Sequence, residues 1–384
     1  MNPLFAGLPT SIFAHMSALA VEHGAINLGQ GFPDFGWPDD VVATAAVALQ
    51  GGSNQYAPMR GLPELREAVV AHYGKHQALS LSVDEVTITS GATEALAAAI
   101  MALVTPGDEV LLFQPLYDAY LPMVRRAGGV PRLVRLMPPD WRITAEAIEE
   151  ALTERTRLLI FNNPHNPTSR LFDRQELGAI ADACIRHDLV ALTDEVWEHI
   201  VFDGGTFTPL SSLPGMRERT VKVGSAGKIF SLTGWKVGWI VAPRELAEPI
   251  AKAHQFIAFA TPPNLQAAVA YGLGKEDSYF DQMRRSFAAA RDDMTAGLRD
   301  AGFFTLAAEG TYFLSIDLDR SGVAAADITF CERIVRQAGV AAIPVSAFYD
   351  ADPATNVVRL CFAKQPETLR EGIQRLRSAR ALFR

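Results

Sequence analysis

The chain has 384 residues, of which 49% are hydrophobic and 20% are charged, with a net charge of −8 and a pI of about 5.6. A chain of this length can bury a large core and divide into two domains. Its acidic balance argues against a broad electrostatic surface for nucleic acid. Apolar runs stay below the roughly 18 residues that span a bilayer, and the sequence contains no HExxH or CxxC pairing that would indicate a metal site.

The N-terminal residues and the cysteines predict a cytoplasmic protein. The first lysine or arginine is Arg60, so the N-terminus lacks the charged region of a signal peptide and the arginines of a transit peptide. Cys184, Cys331 and Cys361 are far apart and odd in number, which favours reduced thiols over a disulfide framework.

The first part of the chain predicts helices separated by irregular segments. A loop-like start precedes a helix over residues 11–23, and residues 26–38 contain three glycines and two prolines. Such a segment can bring backbone N–H groups against a small anion, although a plain linking loop has the same composition. Further helices are predicted over residues 39–50, capped by Asp39 and Asp40, and over residues 64–77. The turn-rich loop between them carries Tyr56.

From residue 85 onwards the pattern alternates strands and helices, which predicts an α/β fold with a doubly wound, mostly parallel sheet. Predicted strands cover residues 86–89, 109–113, 130–136, 156–161, 189–194 and 220–224. Predicted helices cover residues 95–103, 144–152, 174–187, 246–256 and 276–301. Further strands at 303–307, 311–317 and 356–363 predict a second unit of α+β type.

The first of these strands runs directly into Gly91, Ala92 and Thr93 at the start of a helix. Free backbone N–H groups and the helix dipole both favour an anion at such a point, so these residues are candidates for a phosphate site. On its own this signal is moderate, because many turns between a strand and a helix have similar sequences.

Aromatic and amide side chains follow the next strands. Tyr117 lies just past a strand end, where it can stack on a flat ring or pack in the core. Asn166 lies between two prolines, so it would lose little entropy on making a hydrogen bond. Asn162 and Asn163 of the same turn can instead satisfy local backbone groups.

Asp194 ends an apolar strand at the same predicted edge of the sheet. A buried carboxylate needs a partner, and a protonated pyridine nitrogen is one that fits; a loop-capping aspartate is the structural alternative. The adjacent Glu195 is the weaker candidate because alternation along a strand points it to the opposite face.

The glycine-rich segment 223–239 contains two lysines in different surroundings. Small residues crowd around Lys228, so desolvation would lower its pKa and make it a nucleophile, whereas Lys236 would remain a cation. Two surface lysines at a turn are the alternative. However, Thr93, Asn166, Asp194 and Lys228 each follow a strand, and ligands in open α/β sheets bind outside the carboxyl ends of the strands. This convergence favours a Schiff-base cofactor with a phosphate tail.

The stretch Ser225-Ala-Gly-Lys-Ile-Phe-Ser-Leu-Thr-Gly-Trp-Lys-Val-Gly resembles the lysine segment of fold-type I, pyridoxal phosphate (PLP) dependent aminotransferases of class I/II. The resemblance extends from Asn27 to Lys364, with several motifs in the order of the family. The most similar subgroup contains kynurenine (glutamine), methionine and N-succinyldiaminopimelate aminotransferases.

The resemblance implies PLP as cofactor and a role for each matching residue. Lys228 would be the Schiff-base lysine, Asp194 the partner of the pyridine nitrogen, Asn166 a donor to the phenolic oxygen, and Tyr117 the ring that covers the cofactor. The implied phosphate ligands are Gly91, Ala92, Thr93, Ser225, Lys236 and, from the other subunit of a homodimer, Tyr56. The implied residues at the substrate are Arg359, which would bind the carboxylate, with Gly31, Asn166 and Phe13. On its residues alone, Arg359 could equally form a salt bridge to a neighbouring acid.

Trp197 departs from the family, which usually has a tyrosine at this position that bonds to the phenolic oxygen of PLP. An indole donates one hydrogen bond and accepts none. We therefore expect Trp197 to contact the cofactor differently, Asn166 to carry more of this contact, and the Schiff base to have a higher pKa than in relatives with tyrosine. An absorbance titration of the wild type against Trp197→Tyr tests this hypothesis, and indistinguishable curves would count against it.

Taken together, these features predict a large PLP-binding domain over residues 40–285 and a small α+β domain built from residues 1–39 and 286–384. The predicted activity is two-step transamination between an L-amino acid and a 2-oxo acid, with Lys228 carrying the proton. A PLP-dependent carbon–sulfur β-lyase shares Lys228, Asp194 and Arg359 and is the alternative. A PLP-binding regulatory module is a third possibility, which the absence of a basic extension at either end disfavours.

Phe13, Trp37 and Tyr120 are candidates for an apolar substrate pocket.

Overall fold

The computed structural model describes residues 1–52 and 54–383. Ser53, in the loop that carries Tyr56, lies outside the described residues. The strands are β1 (Ile26–Asn27), β2 (Val86–Thr89), β3 (Glu109–Gln114), β4 (Val130–Arg135), β5 (Thr156–Asn162), β6 (Val190–Asp194), β7 (Thr220–Ser225), β8 (Gly238–Val241), β9 (Phe304–Thr305), β10 (Phe313–Asp317), β11 (Val340–Ala341), β12 (Ile343–Pro344) and β13 (Val357–Cys361).

The helices alternate with these strands through the middle of the chain, as the sequence pattern predicts. They are α1 (Pro3–Gly7), α2 (Ile12–Glu22), α3 (Asp39–Gly51), α4 (Pro63–Gln77), α5 (Ala92–Leu103), α6 (Tyr120–Arg126), α7 (Ala145–Ala151), α8 (Arg174–Arg186), α9 (Ala226–Ile229), α10 (Arg244–Ile257), α11 (Pro263–Leu273), α12 (Asp277–Asp300), α13 (Asp327–Ala338) and α14 (Pro366–Ala379). Of the helices in the described part of the chain, none combines the length and the apolar character needed to cross a bilayer.

The central sheet has the strand order β2-β8-β7-β6-β5-β3-β4. All of its neighbouring pairs are parallel except those of β8, which runs antiparallel to β2 and to β7. Most of its strands are buried along their whole length, because helices cover both faces. This architecture confirms the predicted α/β class and its mostly parallel, doubly wound sheet.

The strand directions bring several polar residues to one edge of this sheet. Since β2 and β7 are both antiparallel to β8, they run in the same direction as each other and as β5 and β6. Thr89, Asn162, Asp194 and Ser225 are the last residues of these four strands. The carboxyl ends of the four strands therefore meet at a common edge, where an open α/β sheet binds its ligands.

A second sheet with the order β12-β13-β10-β9 follows in the C-terminal part of the chain. Its pairs are antiparallel, and Arg359 of β13 lies opposite Ser315 of β10. A continuous apolar cluster joins residues of both sheets, among them Ile160 of β5 and Leu314 of β10. Burial of this shared core holds the second sheet beside the carboxyl edge of the first.

The structure corrects three details near helix starts. Residues 3–7 form helix α1 where the sequence predicts a loop. Helix α3 has Pro38 at its N-cap position without a capping side chain, so Asp39 and Asp40 lie in the first turn and act on the helix dipole instead. Helix α5 begins at Ala92, earlier than the predicted start at residue 95, so two of the predicted phosphate ligands, Ala92 and Thr93, belong to its first turn.

Candidate active site

A cavity of about 250 Å³ opens at the carboxyl edge of the central sheet. Its lining includes most of the residues that the sequence analysis assigned to a cofactor: Gly91, Ala92, Thr93, Tyr117, Asn166, Asp194, Trp197, Ser225, Lys228 and Lys236. These residues come from six separate parts of the chain, so only the folded sheet brings them together.

Asp194 is buried at the base of the cavity with one carboxylate oxygen in use and one free. The Tyr120 hydroxyl donates to Oδ2 at 2.6 Å, whereas Oδ1 has no hydrogen-bond partner among the residues that the structure describes. Burial raises the pKa of Asp194, and the Tyr120 hydroxyl and the nearby Lys228 act in the opposite direction. A buried carboxylate oxygen without a partner is costly, so this atom marks a place where a ligand donor fits.

Asn162 aligns two of the predicted site residues. Its side-chain amide donates to the backbone carbonyl of Asp194 at 2.7 Å, and its Oδ1 accepts from the backbone N–H of Asn166 at 2.7 Å. This local bonding is the alternative that the sequence left open for Asn162. The Asn166 side chain accepts from Arg359 through Oδ1, which leaves its amide N–H groups available to a ligand in the cavity.

Lys228 lies in the short helix α9 with its amine inside the cavity. Its Nζ is 3.0 Å from the Tyr312 hydroxyl and 4.5 Å from the centroid of the Trp197 ring. Burial lowers the pKa of Lys228 to about 8, although Cys361 and Asp194 act in the opposite direction. An amine with this pKa is partly available as a free base near neutral pH, as required of a nucleophile.

Trp197 is buried beneath this lysine. Its ring meets the Tyr312 ring edge-on, with 4.4 Å between centroids, and also contacts Phe313. The indole thus forms an apolar wall of the cavity and a face beneath the Lys228 amine, a position in which aromatic rings attract cations.

The end of the cavity near α5 has little room for side chains. A Cβ at Gly91, whose φ is +81°, would lie 3.1 Å from the Lys236 side chain. A Cβ at Gly238 would lie 2.7 Å from the backbone of Gly91. These glycines allow the start of α5 and the Lys236 amine to approach each other, so a helix N-terminus and a cation face the same space.

Arg359 lies beside the cavity and is 1% exposed. It donates to Asn166 Oδ1 at 2.7 Å and to the Gly29 carbonyl at 3.1 Å, while its Nε has no partner within the described part of the chain. Among the described residues it forms no salt bridge, so the alternative of a structural ion pair finds no support. Burial lowers its pKa to about 10, which leaves the guanidinium charged at neutral pH and without a carboxylate of its own.

The other predicted substrate residues surround Arg359 or the approach to it. The Phe13 ring lies 5.3 Å from the guanidinium carbon, and the Gly31 carbonyl accepts from the Tyr312 hydroxyl at 2.6 Å. Tyr56 does not line the cavity of its own chain; it is 86% exposed and packs on Phe259.

The predicted apolar pocket of Phe13, Trp37 and Tyr120 is wrong in two of its members. Tyr120 is buried, and its hydroxyl donates to Asp194 at the base of the cavity. Trp37 is 47% exposed and lines a separate cavity beside α12. Sequence pattern identifies aromatic residues but not the direction in which each ring points.

Sequence reasoning missed Tyr312 altogether and did not assign Tyr120 to Asp194. Tyr120 lies in the same short motif as Tyr117, and this closeness in sequence could have placed Tyr120 near the site. Tyr312 is distant in the chain from every site motif, and its aromatic neighbours suggest only a core residue.

Comparison with known proteins connects this geometry to an enzyme family. The model of the family "Aminotransferase class I and II" matches residues 23–376. The chain is 41% identical to the methionine aminotransferase of Escherichia coli, with 96% of each chain covered. It is 36% identical to human kynurenine–oxoglutarate transaminase 1, covering 97% of this chain and 96% of the relative. The solved N-succinyldiaminopimelate aminotransferase from Mycobacterium tuberculosis superposes with a TM-score of 0.95 at 43% identity, covering 98% and 99% of the two chains.

Proposed function

Because the chain belongs to the class I and II aminotransferases, which are PLP-dependent enzymes, we propose that the cavity at the carboxyl edge of the central sheet binds PLP and carries out transamination. The observation that carries this assignment is Asp194, whose buried Oδ1 lacks a partner in the same cavity as the Lys228 amine. An acid for a ring nitrogen and an amine for an aldehyde are the two groups that PLP requires.

The residues present fit the cofactor at each end of the cavity. Asp194 would supply the acid for the ring nitrogen, and Tyr117, which also lines the cavity, would cover the ring. Gly91, Ala92, Thr93, Ser225 and Lys236 supply backbone N–H groups, hydroxyls and a charge for the phosphate. When bound, PLP supplies an electron sink for the substrate α-carbon.

Lys228 carries the proton in this proposal. Its amine has a pKa of about 8 because it is buried, so at neutral pH it changes between the charged and the free form at little cost. Lys228 would hold PLP, and with an amino acid bound its free Nζ would accept the proton from the substrate α-carbon and donate it again. Trp197 and Tyr312 surround Nζ and limit the access of water to it.

Arg359 orients the substrate through its carboxylate. Its buried guanidinium already holds Asn166 and the Gly29 carbonyl, and the free Nε–H adds a donor for an incoming anion. Phe13 and the backbone near Gly31 complete this end of the site. Because Asn166 contacts Arg359, the same asparagine joins the substrate end to the cofactor end. Its remaining amide N–H groups support the prediction that it carries the contact with the phenolic oxygen.

The variant Lys228→Ala tests this assignment. It is expected to abolish turnover and the visible absorbance of lysine-bound cofactor, while far-ultraviolet circular dichroism stays that of the wild type. Transamination retained in this variant would refute the role of Lys228. Pyruvate and ammonia released from cystathionine by the wild type without a 2-oxo acid acceptor would instead point to the β-lyase alternative, which none of the relatives named above favours.

A panel of amino-acid donors, each tested with two 2-oxo acids, identifies the substrates. The relatives named above carry the names of enzymes for methionine, kynurenine and N-succinyldiaminopimelate. We infer that the donor belongs to this range, and the measurement is kcat/KM for each of the three with 2-oxoglutarate and with pyruvate. Rates at background for all three donors would contradict this inference.

We also propose a homodimer in which Tyr56 reaches the phosphate of the partner's cofactor. Tyr56 is 86% exposed and packs on Phe259, which is itself 40% exposed, and Phe256 in the preceding helix is 84% exposed. Such a surface on one chain favours burial against another.

Subunit complementation tests the shared site. If Tyr56 acts across the interface, mixing Lys228→Ala with Tyr56→Ala subunits creates one site with both changes and one wild-type site. Activity should then exceed the average of the two variants measured alone. If each site uses only its own chain, the mixture should give the average of the two variants.

The division into domains and the location in the cell remain proposals. The central sheet lies within the proposed large domain of residues 40–285, and the second sheet lies in the C-terminal part of the proposed small domain. Limited proteolysis that leaves either unit intact would support this division. The three cysteines are buried free thiols, which supports the cytoplasm as the proposed compartment.

A further inference from the structure

Tyr312 connects Lys228 to the N-terminal segment around Gly31. Its hydroxyl is 3.0 Å from Lys228 Nζ and 2.6 Å from the carbonyl oxygen of Gly31. The side chain has no exposed surface, and its ring packs on Trp197 and Phe287. A buried hydroxyl with two polar contacts of this kind has one orientation of its proton available.

The direction of each hydrogen bond follows from the groups involved. A carbonyl oxygen only accepts, so the single proton of Tyr312 points to Gly31. The contact with Lys228 must then be a donation from the amine to a lone pair of the hydroxyl oxygen. In the neutral amine, this contact occupies one N–H and leaves the nitrogen lone pair free to point elsewhere. Burial also raises the pKa of Tyr312, so the phenol keeps its proton at the working pH.

Three side chains hold the segment that Tyr312 contacts, each by donating to one of its carbonyl oxygens. We define residues 28–35 as the N-terminal strap. Arg359 donates to Gly29 at 3.1 Å, Tyr312 to Gly31 at 2.6 Å, and Lys364 to Phe32 at 2.8 Å. These three donors come from β13, the residues after it and the residue before β10. Only the Tyr312 hydroxyl also contacts the amine at the centre of the cavity.

We propose that Tyr312 is the positioning residue for Lys228: its hydroxyl, held by the Gly31 carbonyl of the strap, fixes the amine through one N–H and directs the lone pair into the cavity. The proposal rests on the proposed role of Lys228 and adds a residue to it. It also explains how the site works with Trp197, which offers no hydroxyl beside the lysine. The indole instead packs edge-on against the Tyr312 ring and supports its position.

The variant Tyr312→Phe tests the proposal because it keeps the ring and removes only the hydroxyl. In the full chain freed of cofactor, the pH dependence of Lys228 labelling by trinitrobenzenesulfonate is followed on the Lys228 peptide by mass spectrometry. The hydroxyl lone pair stabilises the ammonium form more than the amine, so its loss should lower the labelling midpoint by about half a unit to one unit. In the holoenzyme, kcat should fall about tenfold, with KM for the amino acid within about twofold.

Tyr349→Phe is the matched control, since the Tyr349 hydroxyl also donates to a buried carbonyl, that of Leu136, but does not contact Lys228. This variant should keep the wild-type midpoint and kcat. A Tyr312→Phe midpoint equal to that of Tyr349→Phe, with kcat within twofold of it, would overturn the proposal. That result would leave the Lys228→Ala test of the proposed function unaffected.

If Tyr312→Phe does not fold, 3-fluorotyrosine at position 312 preserves the shape of the side chain and weakens the oxygen as an acceptor. The Lys228 midpoint should then fall in the same direction by a smaller amount. An unchanged midpoint with the fluorinated residue would also count against the proposal.

Discussion

Lys222 lies in strand β7 and Lys228 in the short helix α9 that follows it, yet their surroundings shift their pKa values in opposite directions. Lys222 is fully buried in β7 and contacts two carboxylates, Glu195 and Glu198, the latter at 2.6 Å. Lys228 lies in the cavity and contacts a hydroxyl and an indole face, without a carboxylate partner within salt-bridge distance among the described residues. We refer to Lys222, Glu195 and Glu198 as the buried ion network.

The difference between these lysines shows that burial alone does not determine charge. Burial opposes the charged form of Lys222, but Glu195 and Glu198 outweigh it, so the pKa of Lys222 is raised. No comparable pair of carboxylates among the described residues offsets the burial of Lys228, so its pKa falls to about 8. The first arrangement keeps a permanent cation for structure, and the second keeps a base for chemistry.

The acids of β6 and the residues after it repeat this contrast. Glu195 contacts Lys222 and accepts from the backbone N–H of Leu210 at 3.1 Å. Its neighbour Asp194 points to the other side and leaves Oδ1 without a partner. One side of the sheet therefore pairs its charges, while the cavity side leaves an acid, an amine and a guanidinium incompletely paired until ligands bind.

The strongest test of this contrast is Lys222→Met in the buried ion network. The change leaves Glu195 and Glu198 buried without their cation, so the free energy of unfolding should fall by about 3–5 kcal/mol. Urea denaturation at neutral pH measures this loss. As a control, Lys75→Met removes an exposed pair with Asp277 and should leave the free energy of unfolding close to that of the wild type. Equal losses in the two variants would contradict the structural role of the network.

The next effect is that of Asp194→Asn, which removes charge from the cavity without changing the shape of the side chain. We expect kcat to fall about 10²- to 10³-fold, the range for loss of one preorganised electrostatic partner. The urea midpoint should stay close to that of the wild type, because the lost charge has no ion pair in the protein. A large loss of stability with kcat preserved would place Asp194 with the structural acids.

Arg359→Lys keeps the charge beside the cavity but removes the planar fork. An ammonium has three N–H donors but lacks the planar fork that serves Asn166, the Gly29 carbonyl and a substrate carboxylate together, so KM for the amino acid should rise about ten- to hundredfold. The matched control is Arg291→Lys, whose guanidinium pairs with Asp203 outside the cavity and should leave KM unchanged. Equal KM values for the two variants would argue against carboxylate binding by Arg359.

Lys228→Met is expected to give the smallest change in the free energy of unfolding. The change should be a gain, whereas that of Lys222→Met should be a loss. Without cofactor, an amine in an apolar site costs stability, so this variant should be more stable than the wild type by about 0.5–2 kcal/mol at pH 7. Thermal or urea unfolding of both proteins freed of cofactor measures this difference. Destabilisation comparable to that of Lys222→Met would show that Lys228 also has a structural partner.

The pH dependence of this difference follows from linkage. The folded pKa of Lys228, about 8, is below its ordinary value of 10.5, so between these values the unfolded chain binds more protons. Stability of the wild type should therefore rise with pH across this window, and the advantage of Lys228→Met should narrow. A constant difference from pH 8 to pH 10.5 would contradict the lowered pKa.

Much of the fold and part of the site follow from local sequence. Strand β6 and the turn after β5 can be predicted because an apolar β-branched run and a proline-rich turn have the same preferences in any protein. Parallel strands share one edge, so the order of strands and turns along the chain predicts that Asp194, Asn166 and Lys228 meet there. Local pattern also separated Asp194 from Glu195, since side chains alternate along a strand.

Contacts between distant residues required the tertiary structure. Tyr120 bonds to Asp194 across 74 positions, and Tyr312 bonds to Lys228 across 84, so neither pair leaves a periodic signal in the sequence. The sequence by itself determined which residues carry acids, amines and turns, because those choices depend on local chemistry. Tertiary structure alone decided which buried lysine finds two carboxylates and which finds a hydroxyl, because packing of the whole core places those partners.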